Sequence, residues 1–219
     1  HSIYGGGVKY DYFSPNEKHR FNVFASAQNI NRDSYYGGGQ DLNAYGNTTD
    51  LNWMAGSQYV YSFGKCIFMP SDLTAGIEVN QDKLEDNMWG YHRTVDQKVN
   101  IGSAFLQNEW KNDHWGFLLG GRLDKHNLID HIIFSPRANL RFNPTQNINL
   151  RVSYSSGFRA PQAFDEDLHV ENVGGNVAMV ELAKDLKEER SQSLSASADI
   201  YHRFGAFQID FLVEGFYTK

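Results

Sequence analysis

Apolar and polar residues alternate with a period of two along most of the chain, and the alternation restarts many times. Over 148–155, Ile148, Leu150, Val152 and Tyr154 share one face while Asn149, Arg151, Ser153 and Ser155 share the other. Toward the end, Leu194, Ala196, Ala198 and Ile200 oppose Ser195, Ser197, Asp199 and Tyr201. Then Phe207, Ile209, Phe211 and Val213 oppose Gln208, Asp210, Leu212 and Glu214. The same split separates Trp115, Phe117, Leu119 and Leu123 from Arg122 and Asp124, Ala138, Leu140 and Phe142 from Arg137, Asn139 and Arg141, and Leu73, Ala75, Ile77 and Val79 from Thr74, Glu78 and Asn80. With further strands at 3–12, 21–31, 50–63 and 98–111, the period predicts ten β-strands, each apolar or small on one face and polar on the other.

The connections between these strands alternate too. Short links (SPNEKH, KNDH, NPTQN, HRFGA and the longer GKCIFMPSD) take turns with long polar ones: RDSYYGGGQDLNAYGNTTD, QDKLEDNMWGYHRTVDQK, KHNLIDH and the segment from Phe158 to Arg190. An outer-membrane barrel has this asymmetry, short turns at one rim and long loops at the other. A soluble sandwich has no reason to gather every long loop at one end. The expected architecture is therefore all-β, an antiparallel up-and-down membrane barrel. Aromatics near the short links (Tyr10, Tyr12, Phe13, Phe21, Tyr59, Tyr61, Phe63, Phe142, Phe204 and Phe207) fit an interfacial girdle. Over 175–191, Val177, Val180, Leu182 and Leu186 have a mixed spacing that suits a short helix or an extended loop.

Composition narrows the classes. The chain has 219 residues, 41% of them hydrophobic and 14% aromatic, enough for an ordered structure. A mean hydropathy of −0.53 would ordinarily read as soluble, but lipid-facing and lumen-facing residues of a barrel cancel in the average. A net charge of −6 without a basic block leaves no nucleic-acid footprint. The polar faces carry both signs, with Glu78, Arg122, Asp124, Arg137, Arg141, Arg151, Asp199, Arg203, Asp210 and Glu214, and so must meet water or another polar surface. The single Cys66 has no metal-ligand spacing around it.

The search for chemistry returns rim candidates and no catalytic set, metal or cofactor. His126 and His131 with Asp124 and Asp130 crowd one short loop, DKHNLIDH, but a solvated loop accounts for them better than a metal does. Asp165, Glu166, Asp167, His169 and Glu171 form an acidic run that matches no calcium-loop spacing. The glycine triplets Gly5–Gly7 and Gly37–Gly39 lack a strand-to-helix context. The loop aromatics and titratable groups give the ligand-contact candidates Tyr35, Tyr36, Tyr45, Trp89, Tyr91, His92, His126, His131, Arg159, Asp165, Glu166 and His169.

RVSYSSGFRAPQAFDEDLH, 151–169, resembles a motif of TonB-dependent outer-membrane receptors in which a strand ending in an aromatic and a glycine runs into GFRAP and an acidic loop. DLKEERSQSLSASADI, 185–200, resembles the family's next element, written LKPERS, with Glu188 where proline is usual. FSPRANLRFNPTQNINLRVSYSSGFRAP, 134–161, resembles the hairpin before it. The resemblance implies a receptor in the outer membrane of a Gram-negative cell, a barrel of about 22 strands closed by a plug. It implies non-enzymatic uptake of a scarce ligand, with energy from the TonB complex. An iron chelate (siderophore or haem) is the leading ligand, with cobalamin or a glycan as alternatives. Residues 1–219 would be a barrel segment from the C-terminal half, without the plug through which TonB acts. Two other readings stand beside it: a complete ten-stranded outer-membrane enzyme using His126, Asp130, His131 and Asp165 at the rim, and a soluble all-β binding module.

Within SYSSGFRAP, Pro161 cannot donate to a ladder and disfavours a helical Ala160, so pairing is expected to stop there, at the outer boundary of the lipid. Arg159 is placed to tie the following loop to an acidic neighbour.

Overall fold

The structure, a computed structural model, describes residues 1–35, 45–89, 92–160, 171–173, 176–178 and 187–219. The strands are β1 (Ser2–Phe13), β2 (His19–Tyr35), β3 (Tyr45–Cys66), β4 (Met69–Met88), β5 (Arg93–Lys111), β6 (Trp115–His126), β7 (Ile133–Thr145), β8 (Ile148–Arg159), β9 (Glu171–Val173), β10 (Asn176–Ala178), β11 (Glu189–Phe204) and β12 (Phe207–Thr218). Ten of them form one antiparallel sheet in the order β1-β2-β3-β4-β5-β6-β7-β8-β11-β12, and β9 and β10 pair separately as a small hairpin. No ladder joins β1 to β12 among the described residues, so the sheet is open.

The up-and-down order puts the connections 14–18, 67–68, 112–114, 146–147 and 205–206 at one end and all the long ones at the other. Gly205, with φ 57°, opens a two-residue hairpin turn in which a positive φ matches the strand twist. Ile67 has φ 64° at the centre of a tight turn in which Phe68 N–H donates to Cys66 O at 2.9 Å, a strained conformation for a β-branched residue.

The ladder keeps the two faces apart over its whole width. One row runs Tyr10, Val23, Ser57, Ile77, Ala104, Leu123 and Phe134. The adjacent row on the other face runs Lys9, Phe24, Gly56, Glu78, Ser103 and Asp124. The apolar face is uncovered: Ile77 is 62%, Leu106 56% and Leu119 57% exposed, a continuous patch of the kind that marks a membrane or protein contact. Near the short turns it carries stacked aromatics, Trp115 on Phe142 at 4.2 Å and Phe68 on Trp110 at 5.7 Å. Phe13 departs from the expected girdle, because its ladder partner is Arg20 and it shares the polar face with Lys9 and Asp11.

Side-chain bonds run sideways across the polar face. Arg122 on β6 donates through Nη2 to Glu78 on β4 at 2.8 Å and to Ser103 on β5 at 2.7 Å, and through Nε to Asp124 at 2.8 Å. It reaches over β5 because Phe105, its ladder partner, lies down onto Gly76 of β4. A Cβ on Gly76 would stand 2.3 Å from Phe105 Cζ. Nearer the short turns, Asp72 accepts from Arg20 at 3.2 Å, Lys111 at 2.9 Å and Ser62 at 2.6 Å, joining β2, β3, β4 and β5.

The strands outrun their expected limits. The stretch QDKLEDNMWGYHRTVDQK is paired β-structure up to Met88 and again from Arg93, so what reads as a long loop is the top of a hairpin. Beyond Val79, Gln81, Lys83, Glu85 and Asn87 continue the apolar face as polar residues. Above lipid both faces are wet, so alternation ends while backbone pairing does not. β3 is 22 residues long, about 70 Å at a strand's rise, and β4 is 20, whereas β6 and β8 are 12 each. One wall therefore stands well above the other.

The face assignment is tested by two arginine substitutions read in urea unfolding from lipid. Ile77→Arg is expected to cost about 2–4 kcal/mol as a charge at mid-bilayer, and Gln58→Arg, on the wet face, close to zero. Gly76→Val should cost about 1–3 kcal/mol by overpacking Phe105 and pushing Arg122 off Glu78, and Phe105→Ala in that background should recover part of it.

Candidate functional site

The rim formed by the long connections is built on the four hairpins β2–β3, β4–β5, β6–β7 and β8–β11. Tyr35 and Tyr45 are the last ladder pair of the tall β2–β3 hairpin, their ring centroids 5.0 Å apart, and both are exposed. An aromatic pair directly across an antiparallel ladder stabilises itself and leaves two ring faces available above it. On the next hairpin, Trp89 is 59% exposed, and His92, with φ 50°, closes the tip by donating its N–H to Trp89 O at 3.1 Å. These are the highest points of the described wall.

The lower side of the rim is arranged differently. His126 ends β6 and is 1% exposed, its Nδ1 accepting from Leu128 N–H at 3.0 Å, so it stands behind the rim surface. His131 is exposed, with Nε2 at 3.1 Å from Glu188 Oε1 and 3.2 Å from Arg190 Nη2, and Arg190 Nε donates to Glu188 Oε1 at 3.0 Å. Glu188 is held below the usual carboxylate range, first by a bond from its own backbone N–H and then by Arg190 and His131. Lys125 Nζ donates to the carbonyls of Ile129 at 2.7 Å and Asp130 at 2.8 Å, and Asn127 bonds to the flank of β5 at Lys98 and Asn100. Ile129, Ile133 and Ala160 form a small buried cluster with Phe158 against it.

β8 pairs as far as Arg159, whose ladder partner is Glu189, in agreement with the stop expected before Pro161. Tyr36, Tyr91, Asp165, Glu166 and His169 lie outside the described residues, as does most of the stretch with helix-compatible spacing. Of that stretch, Asn176–Ala178 is a strand and Glu189 opens β11. Among the described residues no group of three or more His, Cys, Asp or Glu side chains is arranged to hold a metal, and His126 and His131 have different partners.

Sequence reasoning passed over the groups below the tall hairpins. Asp86 is fully buried and accepts from Thr48 Oγ1 at 2.5 Å, next to buried Met88. Asp82, Asp86 and Met88 keep the parity of Glu78 and Asn80 on the polar face. Extending that parity past Asn80 was the available signal, masked by polar residues on the other face.

A protein-family model described as TonB dependent receptor-like, β-barrel, matches residues 2–219. A search of curated protein sequences finds no match. Among solved structures, a mutant ferric enterobactin receptor (PfeA) from Pseudomonas aeruginosa superposes with a TM-score of 0.72 at 16% identity, over 91% of this chain and 32% of that one. The siderophore receptor PirA from Acinetobacter baumannii gives 0.66 at 15%, over 95% and 33%. The ferric citrate transporter FecA, unliganded, gives 0.62 at 12%, over 90% and 32%. The chain thus spans about a third of the length of the structures it matches, and at these identities the likeness concerns the fold. With the model matching nearly end to end, the chain belongs to the TonB-dependent receptor-like β-barrel family.

Proposed function

We propose that this chain forms a ligand-gathering wall of an outer-membrane receptor that takes up an iron chelate with energy transmitted by TonB, without chemical conversion of the ligand. The observation that carries the reading is the gathering of every long connection at one rim, with the exposed rings of Tyr35, Tyr45 and Trp89 at its highest points, in a chain of this family. Flat aromatic faces above a polar wall suit a bulky, partly aromatic or polyanionic chelate, which would be held by ring contacts and by hydrogen bonds from below. The similar structures include a ferric enterobactin receptor, a ferric citrate transporter and a receptor bound to pyoverdines, which supports an iron chelate as the ligand. Contact with TonB is assigned to another part of the receptor, in keeping with a plug domain that these residues do not form.

The full-length receptor, expressed as the sole iron-uptake receptor of a Gram-negative host, tests this. Uptake of iron from ferric enterobactin, ferric citrate or ferric pyoverdine should be saturable and should vanish without TonB. Joint replacement Tyr35→Ala and Tyr45→Ala, or Trp89→Ala alone, should weaken binding by about tenfold, the worth of one aromatic contact, without lowering the folded amount. TonB-independent uptake, or transport of cobalamin or a glycan and of no iron chelate, haem included, would overturn the reading. Orientation is tested separately on intact cells. A cysteine replacing Trp89 should react with a membrane-impermeant maleimide, and one replacing Phe68 should not; the reverse pattern inverts the barrel.

A further inference from the structure

The β6–β7 connection, 127–132, touches both ends of the segment that links β8 to β11. At the start of that segment, Ile129 and Ile133 pack on Ala160, with Phe158 beside them, in a buried apolar cluster. At its end, Glu188 is bound between His131 and Arg190. The connection is itself fastened below: Lys125 ties down the carbonyls of Ile129 and Asp130, and Asn127 exchanges bonds with Lys98 and Asn100 of β5. A six-residue loop with these attachments has little freedom of its own, so whatever binds it inherits a fixed position relative to β5 and β6.

We propose that residues 127–132 act as a bracket that holds Ala160 and Glu188, the described residues on either side of the β8–β11 connection, with His131 and Glu188 as positioning residues. This rests on the reading above, in which the long connections carry the ligand contacts. Two different interactions secure the two ends. The apolar start is insensitive to salt and acid, and the ionic end is not. Glu188 is only 11% exposed at its side chain although His131 and Arg190 are about half exposed, so the carboxylate is the sheltered member and loses most if its partners leave. The charged side chains in contact with it are Arg190 on its own stretch and His131 from the β6–β7 connection. Both hold the carboxylate in its ionised form, after the bond from its own backbone N–H. At this position the bracket does by ion pairing what a proline would do by fixing φ.

The test is hydrogen exchange of the full-length receptor in lipid, without ligand, reading peptides that cover 127–133 and 186–191. His131→Ala and Glu188→Ala should each speed exchange in both peptides by about two- to fivefold, the range for a partly exposed ion pair, and the double variant should add nothing further. His131→Lys presents an N–H donor to Glu188 and should stay at the unsubstituted rate. Change in the substituted peptide alone, additive effects in the double variant, or His131→Lys behaving like His131→Ala would overturn the bracket. In a second arm, Kd for ferric enterobactin should rise in the two alanine variants and not in His131→Lys. A Kd unmoved while exchange quickens would overturn the positioning role. A receptor that binds no iron chelate, haem included, even unsubstituted instead defeats the functional reading, and exchange still decides the bracket.

Discussion

Inside a bilayer every backbone N–H and C=O has to be paired by the protein, and this single constraint organises the chain. In this chain the pairing is made between strands, ten of which form one antiparallel sheet. Once it is, side chains must alternate between lipid and lumen, and every strand must meet two neighbours. Eight of the ten strands in the large sheet do; β1 and β12 each have one unpaired side. In lipid those sides have to be covered by further strands, which agrees with a chain matching about a third of a complete receptor. The exposure of Ile77, Leu106, Leu119 and Val152 is what the same constraint asks of the outward face of a membrane barrel.

Pairing alone does not fix which residues sit opposite one another. Register is set by the two-faced pattern, because a one-residue slip would turn Glu78, Arg122 and Asp124 toward lipid and Ile77 and Leu123 into the wet interior. The lateral bonds strengthen this choice. Arg122 spans two strand spacings to Glu78, which requires Phe105 to lie flat, which in turn requires a residue without a side chain at Gly76. Phe24 over Gly56 repeats the close approach two ladders away, between β2 and β3. Ion pairs on a wet wall are individually weak. The value of Arg122–Glu78 and Arg20–Asp72 is geometric, since each joins strands that the backbone ladder joins only through an intermediary.

The sequence was legible wherever lipid acts on one face and water on the other. The strands from Trp115 to Phe142 and from Leu194 to Val213 could be read with the correct faces because both solvents are present there. Legibility failed above Val79 and before Asn100, where Lys83 and Lys98 face one way and Asp82 and Val99 the other, and neither face is consistently apolar. Pairing persists there because a hairpin already in register extends its ladder at little cost, whatever its side chains. At the rim, Tyr35, Tyr45 and Trp89 were recognisable as aromatic loop residues. The union of His131 with Glu188, 57 positions apart, was not, because no periodic pattern encodes a contact between two different connections.

This division also explains why a fold shared at a TM-score of 0.72 coexists with 16% identity. The lipid-crossing part asks only for a class of residue at each position, so Leu, Val, Phe or Ala can stand in a given row without disturbing the ladder. The rim lies outside that two-faced pattern, so no row of the ladder constrains its residues. Glycines such as Gly76 and Gly205 are exceptions within the wall, fixed by a close approach in one case and a positive φ in the other. A variable rim carried on a strict wall needs fixed points of attachment, otherwise freedom at the strand ends would blur any contact the loops make. The tall β2–β5 wall obtains its fixity by continuing the ladder out of the membrane. The short β6–β8 wall, which stops near His126 and Arg159, has no such extension, and there side chains of one connection hold the ends of the next.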